Sequence, residues 1–295
     1  MAKLIVQNKF LTKKLFDFFS QLIIYAPATH SVKQSFSLAH ILDEERLEIG
    51  FGNKELVSKN LELLRCFEMP DSEFIRVGPA HDGGYVIYKD IGSLNKVISI
   101  GVGWDTSFEE DLNSKVKGIN FVMFDHTVSQ TKKLPENFKF YSLGLGSKNL
   151  FPFVTLDSIV NAHLSINDRA LLKIDIEGFE YESLSKTSLE TLNNFDQILI
   201  EIHDLNSKTL TSGLFTDLIS KITKNYHLVH IHGNNNTGYS VIAGACVPKT
   251  LELTFIRKTF QVNQTVGSAI FPREQDFPNT TGDDLSIGSF LFRFN

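Results

Sequence analysis

The chain has 295 residues, of which 42% are hydrophobic and 21% are charged, and its formal net charge is -5 at pH 7. This balance is typical of a folded globular protein and excludes an intrinsically disordered one. A mildly acidic chain without a basic stripe has no electrostatic basis for binding nucleic acid. The two cysteines, Cys66 and Cys246, have neither zinc-ligand nor CxxC spacing, which predicts reduced thiols in a cytoplasmic protein.

The first residues combine positive charge with an apolar stretch. Four lysines precede residues 15–26, which are mostly apolar but are interrupted by Asp17 and Gln21. The stretch is too short to cross a bilayer, so no transmembrane segment is expected here. Apolar residues such as Phe19 and Ile23 recur at helical spacing, which predicts an amphipathic helix. Packing of this helix on the body or on a partner, peripheral membrane contact and export all remain open.

Residues 1–70 as a whole are predicted to form an N-terminal helical extension. Apolar residues continue with a loose three-to-four period from Leu47 to Phe67, and Pro70 ends the pattern. In residues 71–295, short runs rich in Ile, Val and Phe alternate with longer amphipathic segments, which is typical of βα units. From about residue 260 the composition predicts an extended, loop-rich tail.

Residues 71–295 are predicted to form an α/β domain with a Rossmann-like, doubly wound, seven-stranded and mostly parallel sheet flanked by helices. The run from Leu171 to Ile174 is apolar on both faces, as expected of a central strand. The last strand alternates between apolar and polar residues, which favours an edge or antiparallel position. The predicted strands are Lys96–Ile100, Asn120–Phe124, Phe138–Ser142, Leu171–Ile174, Gln197–Ile200, His227–Ile231 and Leu251–Ile256, and the predicted helices are Thr106–Val116, Gly178–Leu192 and Leu210–Lys224.

Candidate binding residues follow the predicted strands, because ligands of such sheets bind outside the carboxyl ends of the strands. Gly101 and Gly103 follow the first strand and allow a tight turn and the close approach of a cofactor, and Ser107 begins the next helix. Thr106 replaces the third glycine of the dinucleotide fingerprint, which disfavours a nicotinamide enzyme. Asp125 ends the second strand, where an acidic residue can bind both hydroxyls of a ribose; a helix or turn cap is the structural alternative.

Two further segments are candidates for cofactor contact. A turn after the third strand can bring backbone groups against an adenine edge, or it can be a plain turn. A turn upstream of the first strand fits a hairpin and a ligand contact about equally. The candidates are His126 beside the second strand end, Gly144 and Leu145 after the third strand, and Asp82, Gly83, Gly84 and Tyr85 in the upstream turn.

The strand ends further along the chain carry the candidate catalytic residues. Asp175 and Glu177 follow the fully apolar fourth strand, where a buried carboxylate is costly unless it meets a cation or a donor. Helix capping is the structural alternative for these two residues. Glu201 and His203 follow the fifth strand and His232 ends the sixth, so we predict a polar cluster at one edge of the sheet.

These motifs resemble those of the FkbM family of methyltransferases. The segment Leu172-Lys-Ile-Asp-Ile-Glu-Gly-Phe-Glu180 is similar to the central signature of that family, and the likeness covers roughly residues 72–285. The other similar pieces occur in the same order: Asp82-Gly-Gly-Tyr85, residues 99–103 with Ser107-Phe-Glu109, Phe124-Asp125, Glu201-Ile-His203, His232-Gly-Asn-Asn235, residues 251–255 and residues 276–279.

The resemblance implies a class I methyltransferase fold, S-adenosylmethionine as the methyl donor, and O-methylation, commonly of sugars in natural products or surface glycans. Gly101, Gly103 and Asp125 match cofactor positions of the family. Asp175 matches the position beside the transferred methyl group, where its carboxylate would face the sulfonium.

An alcohol needs a base or a metal ion as its proton leaves. His203 is the first candidate for the base, oriented by Glu201 or Asp175, and His232 is the second. In the alternative, carboxylates at neighbouring strand ends chelate Mg²⁺ together with two sugar hydroxyls. The sequence does not identify the metal ligands.

Two other functions remain open at the level of sequence. One is a nicotinamide-dependent oxidoreductase or epimerase acting on a sugar nucleotide. The other is a non-catalytic module that binds the cofactor and serves a partner or a glycan. For the enzyme, the expected acceptor is a small molecule or a glycan, including a nucleotide-linked sugar, and the oligomeric state is left open.

Overall fold

The computed structural model describes residues 47–50, 53–129, 133–242, 245–260, 262, 271–285 and 287. The amphipathic helix predicted within residues 15–26 lies outside these ranges. In the part of the chain that is described, no helix combines the length and the apolar character that a bilayer crossing requires.

Short strands alternate with short helices along the described chain. The strands are β1 (Leu47–Gly50), β2 (Phe74–Val77), β3 (Tyr85–Tyr88), β4 (Lys96–Ile100), β5 (Asn120–Phe124), β6 (Phe138–Tyr141), β7 (Gly144–Leu145), β8 (Phe153–Val154), β9 (Ala170–Ile174), β10 (Phe195–Ile202), β11 (Tyr226–Gly233), β12 (Tyr239–Ile242), β13 (Ala245–Pro248) and β14 (Leu251–Arg257). The helices are α1 (Lys54–Glu62), α2 (Ser107–Lys115), α3 (Leu156–His163), α4 (Glu180–Ser185), α5 (Leu189–Leu192), α6 (Ser207–Thr211) and α7 (Gly213–Thr223).

Seven of these strands form the central sheet, in the order β11-β14-β10-β9-β4-β5-β6. β14 is antiparallel to both of its neighbours, whereas the pairs from β10 to β6 are parallel. The chain proceeds outward from β4 to β6 and then returns to place β9 on the other side of β4. The strand order therefore reverses between β4 and β9, and the carboxyl ends of these strands flank the crevice where ligands of such sheets bind.

Both faces of the sheet are covered by other elements. Successive side chains of each central strand point to opposite faces, so neighbouring residues pack in different cores. Leu172 and Ile174 of β9 belong to the core that α1, α3, α4 and α7 share, while Leu171 packs with α2 and the β2–β3 hairpin. All five residues of β9 and all eight of β10 are buried. This two-sided burial explains why these strands read as continuous apolar runs.

The predicted α/β fold and its seven-stranded sheet are confirmed. Two strands, β4 and β5, have the predicted bounds, and the other five begin or end within two residues of them. The alternating last strand, β14, is antiparallel as expected but lies inside the sheet, between β10 and β11.

Two of the predicted helices are wrong as single elements. The helix predicted over residues 178–192 is split into α4 and α5, because Ser188 adopts an extended backbone and caps α5 by accepting the N–H of Thr191. The helix predicted over residues 210–224 is split between α6 and α7 at Ser212, which is also extended. The sequence analysis missed α3, whose N-terminus is capped by Thr155.

The helical interpretation of residues 47–67 is also wrong at its start. Residues 47–50 form β1, which pairs in parallel with β12 from a distant part of the sequence, and the helix α1 begins only at Lys54. Val57 and Leu61 of α1 are buried in the main core, and Asn60 Nδ2 donates to the carbonyl oxygen of Leu210 at 2.6 Å. The domain boundary near residue 70 stays a prediction, but α1 packs as part of the core on that face of the sheet.

Candidate active site

The turns after β4 and β9 meet at the reversal of strand order. Gly101 donates its N–H to Phe124 at 2.8 Å, and Asp175 donates its N–H to Ile100 at 3.0 Å, so the two turns continue the sheet pairing. Gly101 has φ +80°, and a Cβ there would lie 1.6 Å from the carbonyl oxygen of Asp175. Only glycine fits this close approach, which places the candidate cofactor turn against the candidate catalytic aspartate.

Asp125 joins the same region through its carboxylate. Gly103 donates its N–H to Oδ2 of Asp125 at 2.8 Å, and Thr127 donates its N–H and its hydroxyl to Oδ1 at 2.7 and 2.6 Å. A carboxylate offers about four acceptor sites, so three are already used. The structure thus brings Gly103 and Asp125 together as predicted, and it also shows the turn-capping role that was the alternative for Asp125.

The upstream turn borders the start of α2. A Cβ on Gly83 would lie 3.2 Å from Oδ2 of Asp105, and Ser107 donates its N–H and its hydroxyl to the same Asp105 carboxylate at 2.9 Å each. Asp82 points elsewhere, because its Oδ1 accepts from Asn279 Nδ2 at 3.1 Å. This turn therefore connects the β4–α2 turn with the C-terminal segment.

The adenine-side candidates lie beyond β5. A Cβ on Gly144 would lie 2.7 Å from Nδ1 of His126, whose ring packs on Phe153 with 4.8 Å between centroids. Leu145 is buried, and its carbonyl oxygen accepts from Ser183 at 3.4 Å. His126, Gly144 and Leu145 thus form one packed unit beside the strand end that carries Asp125.

Four carboxylates surround the imidazole of His203, which is 9% exposed. Nδ1 lies 2.9 Å from Glu180 Oε1, and Nε2 lies 3.5 Å from Glu177 Oε2, 3.5 Å from Glu201 Oε1 and 3.8 Å from Asp175 Oδ1. Asp175, Glu201 and His203 are therefore brought together, as the sequence predicts. The closest partner of His203 is Glu180, rather than Glu201 or Asp175.

The hydroxyl of Tyr85 lies close to two of these carboxylates. Its hydroxyl lies 3.1 Å from Asp175 Oδ2 and 3.2 Å from Glu201 Oε2, and it can donate its one hydrogen to only one of them at a time. Asn234 Nδ2 donates to Glu201 Oε1 at 2.9 Å. Tyr85, predicted as a cofactor contact, therefore lies within hydrogen-bonding distance of two candidate catalytic carboxylates.

The protonation of the cluster follows from its burial and its charges. Burial raises the pKa of Asp175, although Lys173 and His203 act in the opposite direction. Burial and the charges of Asp175 and Glu252 hold the pKa of Glu201 well above its ordinary value. For His203, burial lowers the pKa, but the hydrogen bond to Glu180 and the nearby carboxylates outweigh it and raise the pKa to about 9. The cluster therefore favours a positive charge at its centre.

Lys173 supplies a buried positive charge close to the cluster. It is 5% exposed, and its Nζ lies 4.8 Å from the centre of the Tyr85 ring. The fully buried Glu109 accepts a short hydrogen bond from Ser99, the cross-strand neighbour of Lys173. Burial raises the pKa of Glu109, and the nearby Lys173 ammonium opposes that rise.

His232 lies apart from this cluster. Its Nδ1 is 3.1 Å from Glu252 Oε2, and its Nε2 is 2.9 Å from Asp284 Oδ1, so both ring nitrogens are paired. Burial lowers its pKa, but Glu252 and Asp284 outweigh that and hold the pKa well above the ordinary value. Strand register connects the two groups, because Glu252 is paired with Glu201 on one side and with His232 on the other.

Several polar residues of the site were quoted within motifs or turns but given no role by the sequence analysis. Glu180 follows Asp175 by five residues, and its role becomes visible only when the turn folds back so that it accepts the N–H of Gly178 at 3.1 Å. Apart from Lys173 on β9, the others depend on the antiparallel placement of β14 and on the docking of the C-terminal segment, which no local pattern signals. They are Lys173, Asn234, Glu252, Asn279 and Asp284.

Residues 95–236 match a family model described as the methyltransferase FkbM domain. The likeness to the FkbM methyltransferase domain thus extends over just under half of the chain. The matched range includes β4 to β11, and with them Gly101, Asp125, Asp175 and His203. The class I methyltransferase fold expected from the resemblance is confirmed, and the domain favours a methyltransferase over the nicotinamide-dependent alternative.

Solved structures with a similar arrangement are distant in sequence. A fibrillarin pre-rRNA processing protein from Methanococcus jannaschii is 11% identical, with coverage of 57% of this chain and 68% of that chain and a TM-score of 0.33. Human N-acetylserotonin methyltransferase in complex with SAM is 12% identical over 57% of this chain and 49% of that chain, with a TM-score of 0.31. A precorrin-6y C5,15-methyltransferase from Geobacter metallireducens is 9% identical over 69% and 88%, with a TM-score of 0.30.

These TM-scores are too low to indicate which ligands this chain binds. The match also covers only about half of the human enzyme. A comparison of the chain with curated proteins found no match.

Proposed function

We propose that the protein is an S-adenosylmethionine-dependent O-methyltransferase whose acceptor is a sugar hydroxyl in a surface glycan or a natural product. The observation that carries the proposal is the cluster of Asp175, Glu201 and His203 at the carboxyl ends of β9 and β10, within the range that matches the FkbM domain. Displacement at a methyl group depends on positioning and on charge, and a cluster of this kind supplies both.

The residues around the β4–α2 turn fit S-adenosylmethionine. A Cβ on Gly103 would meet no atom within 4 Å, so the turn leaves open space beside its backbone. Asp125 is available to the ribose once it releases one of its contacts with Thr127. Asp175 is partly buried, has a raised pKa and forms no salt bridge with any lysine or arginine in the described ranges, so a nearby sulfonium cation would stabilise its carboxylate. The cofactor supplies an electrophilic methyl group when bound.

Removal of the hydroxyl proton has two candidate routes. In the first, His203 accepts the proton, with Glu180 as the residue that positions its ring. A pKa of about 9 means that the imidazole must first lose a proton before it can act in this way at neutral pH. In the second, a divalent cation, expected from the sequence to be Mg²⁺, lowers the pKa of the hydroxyl.

The polar groups in and beside the cluster support an acceptor that is rich in hydroxyls. Glu201, Glu252 and Asp82 offer carboxylate oxygens, and Asn234 and Asn279 hold them in place through their amide groups. Carboxylate and amide groups bind hydroxyls well, whereas the carboxylates repel a phosphate or carboxylate placed directly against them. A nucleotide-linked sugar fits if its phosphates lie away from this edge, and the proposal includes the cytoplasmic location expected from the sequence.

Calorimetry with S-adenosylhomocysteine tests the cofactor. We expect binding by the wild type and a clear loss of affinity in Asp125→Ala, because each hydrogen bond to a charged group is worth about 1.5–3 kcal/mol. Asp168→Ala, a change beside the amino end of β9 and so at the opposite edge of the sheet from the candidate site, is the matched control and should bind normally. Binding of NADH in place of S-adenosylhomocysteine would contradict the proposal.

Transfer of a labelled methyl group to a panel of sugars and nucleotide-linked sugars tests the reaction. Asp175→Asn should lower kcat by about 10²–10⁴ while the protein remains folded. Tight binding of S-adenosylhomocysteine without transfer to any acceptor in the panel would favour the non-catalytic module instead.

A further inference from the structure

The hydrogen bonds around Glu180 determine which nitrogen of His203 is free. Oε1 of Glu180 accepts the N–H groups of Ile176 at 3.2 Å and Gly178 at 3.1 Å, so this oxygen is an acceptor. Nδ1 of His203, 2.9 Å away from the same oxygen, must therefore be the donor. This leaves Nε2 as the nitrogen that faces the remaining carboxylates.

Nε2 of His203 makes no hydrogen bond to any residue in the described ranges, although the side chain is nine-tenths buried. Three carboxylate oxygens lie around it at 3.5, 3.5 and 3.8 Å, on Glu177, Glu201 and Asp175. A proton on Nε2 would draw one oxygen to about 2.7–2.9 Å, the usual length of a charge-assisted hydrogen bond. All three observed distances are longer than this, so Nε2 has no close partner among these oxygens.

The same spacing fits ligand atoms that share one cation. Ligands at about 2.1 Å from an ion lie about 3.0–3.5 Å from one another in octahedral or tetrahedral geometry. One ligand atom from each of Asp175, Glu177 and His203 can be chosen so that all lie within 4.8 Å of one another. Binding of an ion would draw the more distant of these atoms together by up to about 1.3 Å, from 4.8 Å to about 3.5 Å.

We propose that Asp175, Glu177 and His203 bind a divalent transition-series cation such as Mn²⁺, with Glu201 within reach as a further ligand. An imidazole nitrogen favours such ions over Mg²⁺, which prefers oxygen ligands alone. The contact between Nδ1 and Glu180 is the carboxylate–histidine arrangement that orients metal-bound histidines. The ion therefore differs from Mg²⁺, which the sequence analysis gave as the alternative to a histidine base, and its ligands include the residue that was the candidate base.

The surroundings of the site leave room for an acceptor. The Glu177 side chain is 85% exposed, so this side of the site opens to solvent and gives an ion a path of entry. Three protein ligands leave coordination positions for water and for a hydroxyl oxygen, as in metal sites that act on substrates. The role of the ion in methyl transfer rests on the proposed function, whereas its binding does not.

Electron paramagnetic resonance of free Mn²⁺ tests the binding directly. The full-length protein, freed of metal with EDTA and dialysed, should remove one Mn²⁺ per chain from solution. Glu177→Gln should raise the Kd about tenfold or more, comparable with the effect of losing an outer-shell partner. Because Glu177 is largely exposed, this variant should fold, and Glu190→Gln, an exposed change on α5, should bind Mn²⁺ as the wild type does.

Three results would overturn the inference: no uptake of Mn²⁺, uptake that Glu177→Gln leaves unchanged, or displacement of Mn²⁺ by an equal concentration of Mg²⁺. Calorimetry with S-adenosylhomocysteine on the same metal-free samples separates this inference from the proposed function. Binding of S-adenosylhomocysteine without uptake of Mn²⁺ refutes the metal site alone. Uptake of Mn²⁺ without binding of S-adenosylhomocysteine refutes the cofactor assignment and supports the site.

Discussion

The turn after β4 and the turn after β9 touch through two backbones, at Gly101 and Asp175. Neither residue has freedom to move away, because each continues the sheet pairing of its own strand. Gly103, two residues further along, also has a positive φ of 60° but faces open space. Glycine is therefore required for different reasons at the two positions. Gly101 allows the close approach of another backbone, and Gly103 adopts a left-handed backbone conformation.

Alanine at these two positions should have unequal effects. Gly103→Ala should cost about 1–2 kcal/mol, the usual cost of a left-handed backbone for a residue with a Cβ. Gly101→Ala should cost at least about 3 kcal/mol, because the two turns must separate to admit the methyl group. Urea denaturation of both variants measures the difference, and equal losses would show that the contact with Asp175 is not tight in solution.

The helix α1 packs as part of the main core. Val57, Leu61 and Leu64 are buried in that core, and Asn60 uses both ends of its amide, since Nδ2 donates to Leu210 and Oδ1 accepts from Thr216 at 3.0 Å. A chain shortened to residues 71–295 would lose these contacts and expose apolar surface of α6 and α7. We therefore expect such a chain to be less stable than one that begins at residue 53.

Substitutions within α1 provide a direct measurement of this packing. Leu61→Ala should lower the free energy of unfolding by about 2–5 kcal/mol, as is usual for a buried leucine. Leu56→Ala, on the exposed side of the same helix, should change it by no more than about 0.5 kcal/mol. If the two variants proved equally stable in urea, α1 would not be packed on the core in solution.

The sheet could be predicted because its strands carry their own signals. β9 and β10 are buried on both faces and read as apolar runs, and the polar residues after them mark their carboxyl ends. β1 could not be predicted, because it pairs with β12 from a distant part of the sequence, and no local pattern encodes that pairing. The breaks at Ser188 and Ser212 were missed because the apolar spacing continues through them.

The candidate site also has features that could be predicted from the sequence and features that could not. Gly101, Asp125, Asp175 and His203 lie at strand ends, so topology alone brings them together. The separation of His232 from His203 could not be foreseen, since it depends on the insertion of β14 between β11 and β10. That insertion places Glu252 in the gap and turns His232 towards the C-terminal segment.

The C-terminal segment, residues 271–285, is held across the molecule by polar contacts. Arg273 forms a salt bridge with Asp71, and Asp276 lies 3.1 Å from His230. Further along, Asn279 donates to Asp82 and to Glu252 at 3.1 and 2.7 Å, and Asp284 pairs with His232. Most of these contacts involve ionisable groups, so the docking of the segment should depend on pH.

His232 should make that dependence measurable. Glu252, Asp284 and Asp276 hold its pKa well above the ordinary value of 6.5, against the effect of burial. The stabilisation is therefore complete below pH 6.5 and is lost as pH rises through the raised pKa. Urea denaturation from pH 6 to 10 should show a smaller loss of stability in His232→Gln than in the wild type. His227→Gln, on the same strand, is the control, and a wild-type slope in both variants would contradict the assignment.

The docking of residues 271–285 also has a consequence for biosynthesis. The chain leaves the ribosome from its N-terminus, so all seven strands of the sheet are available before this segment emerges. Until then, Glu252 lacks Asn279 and His232 lacks Asp284, so each keeps its contact with the other but loses the partner of a second buried polar atom. A nascent or prematurely terminated product would therefore contain the entire sheet and still lack the contacts of this segment with Asp82, Glu252 and His232, which would make it a substrate for chaperones and proteases.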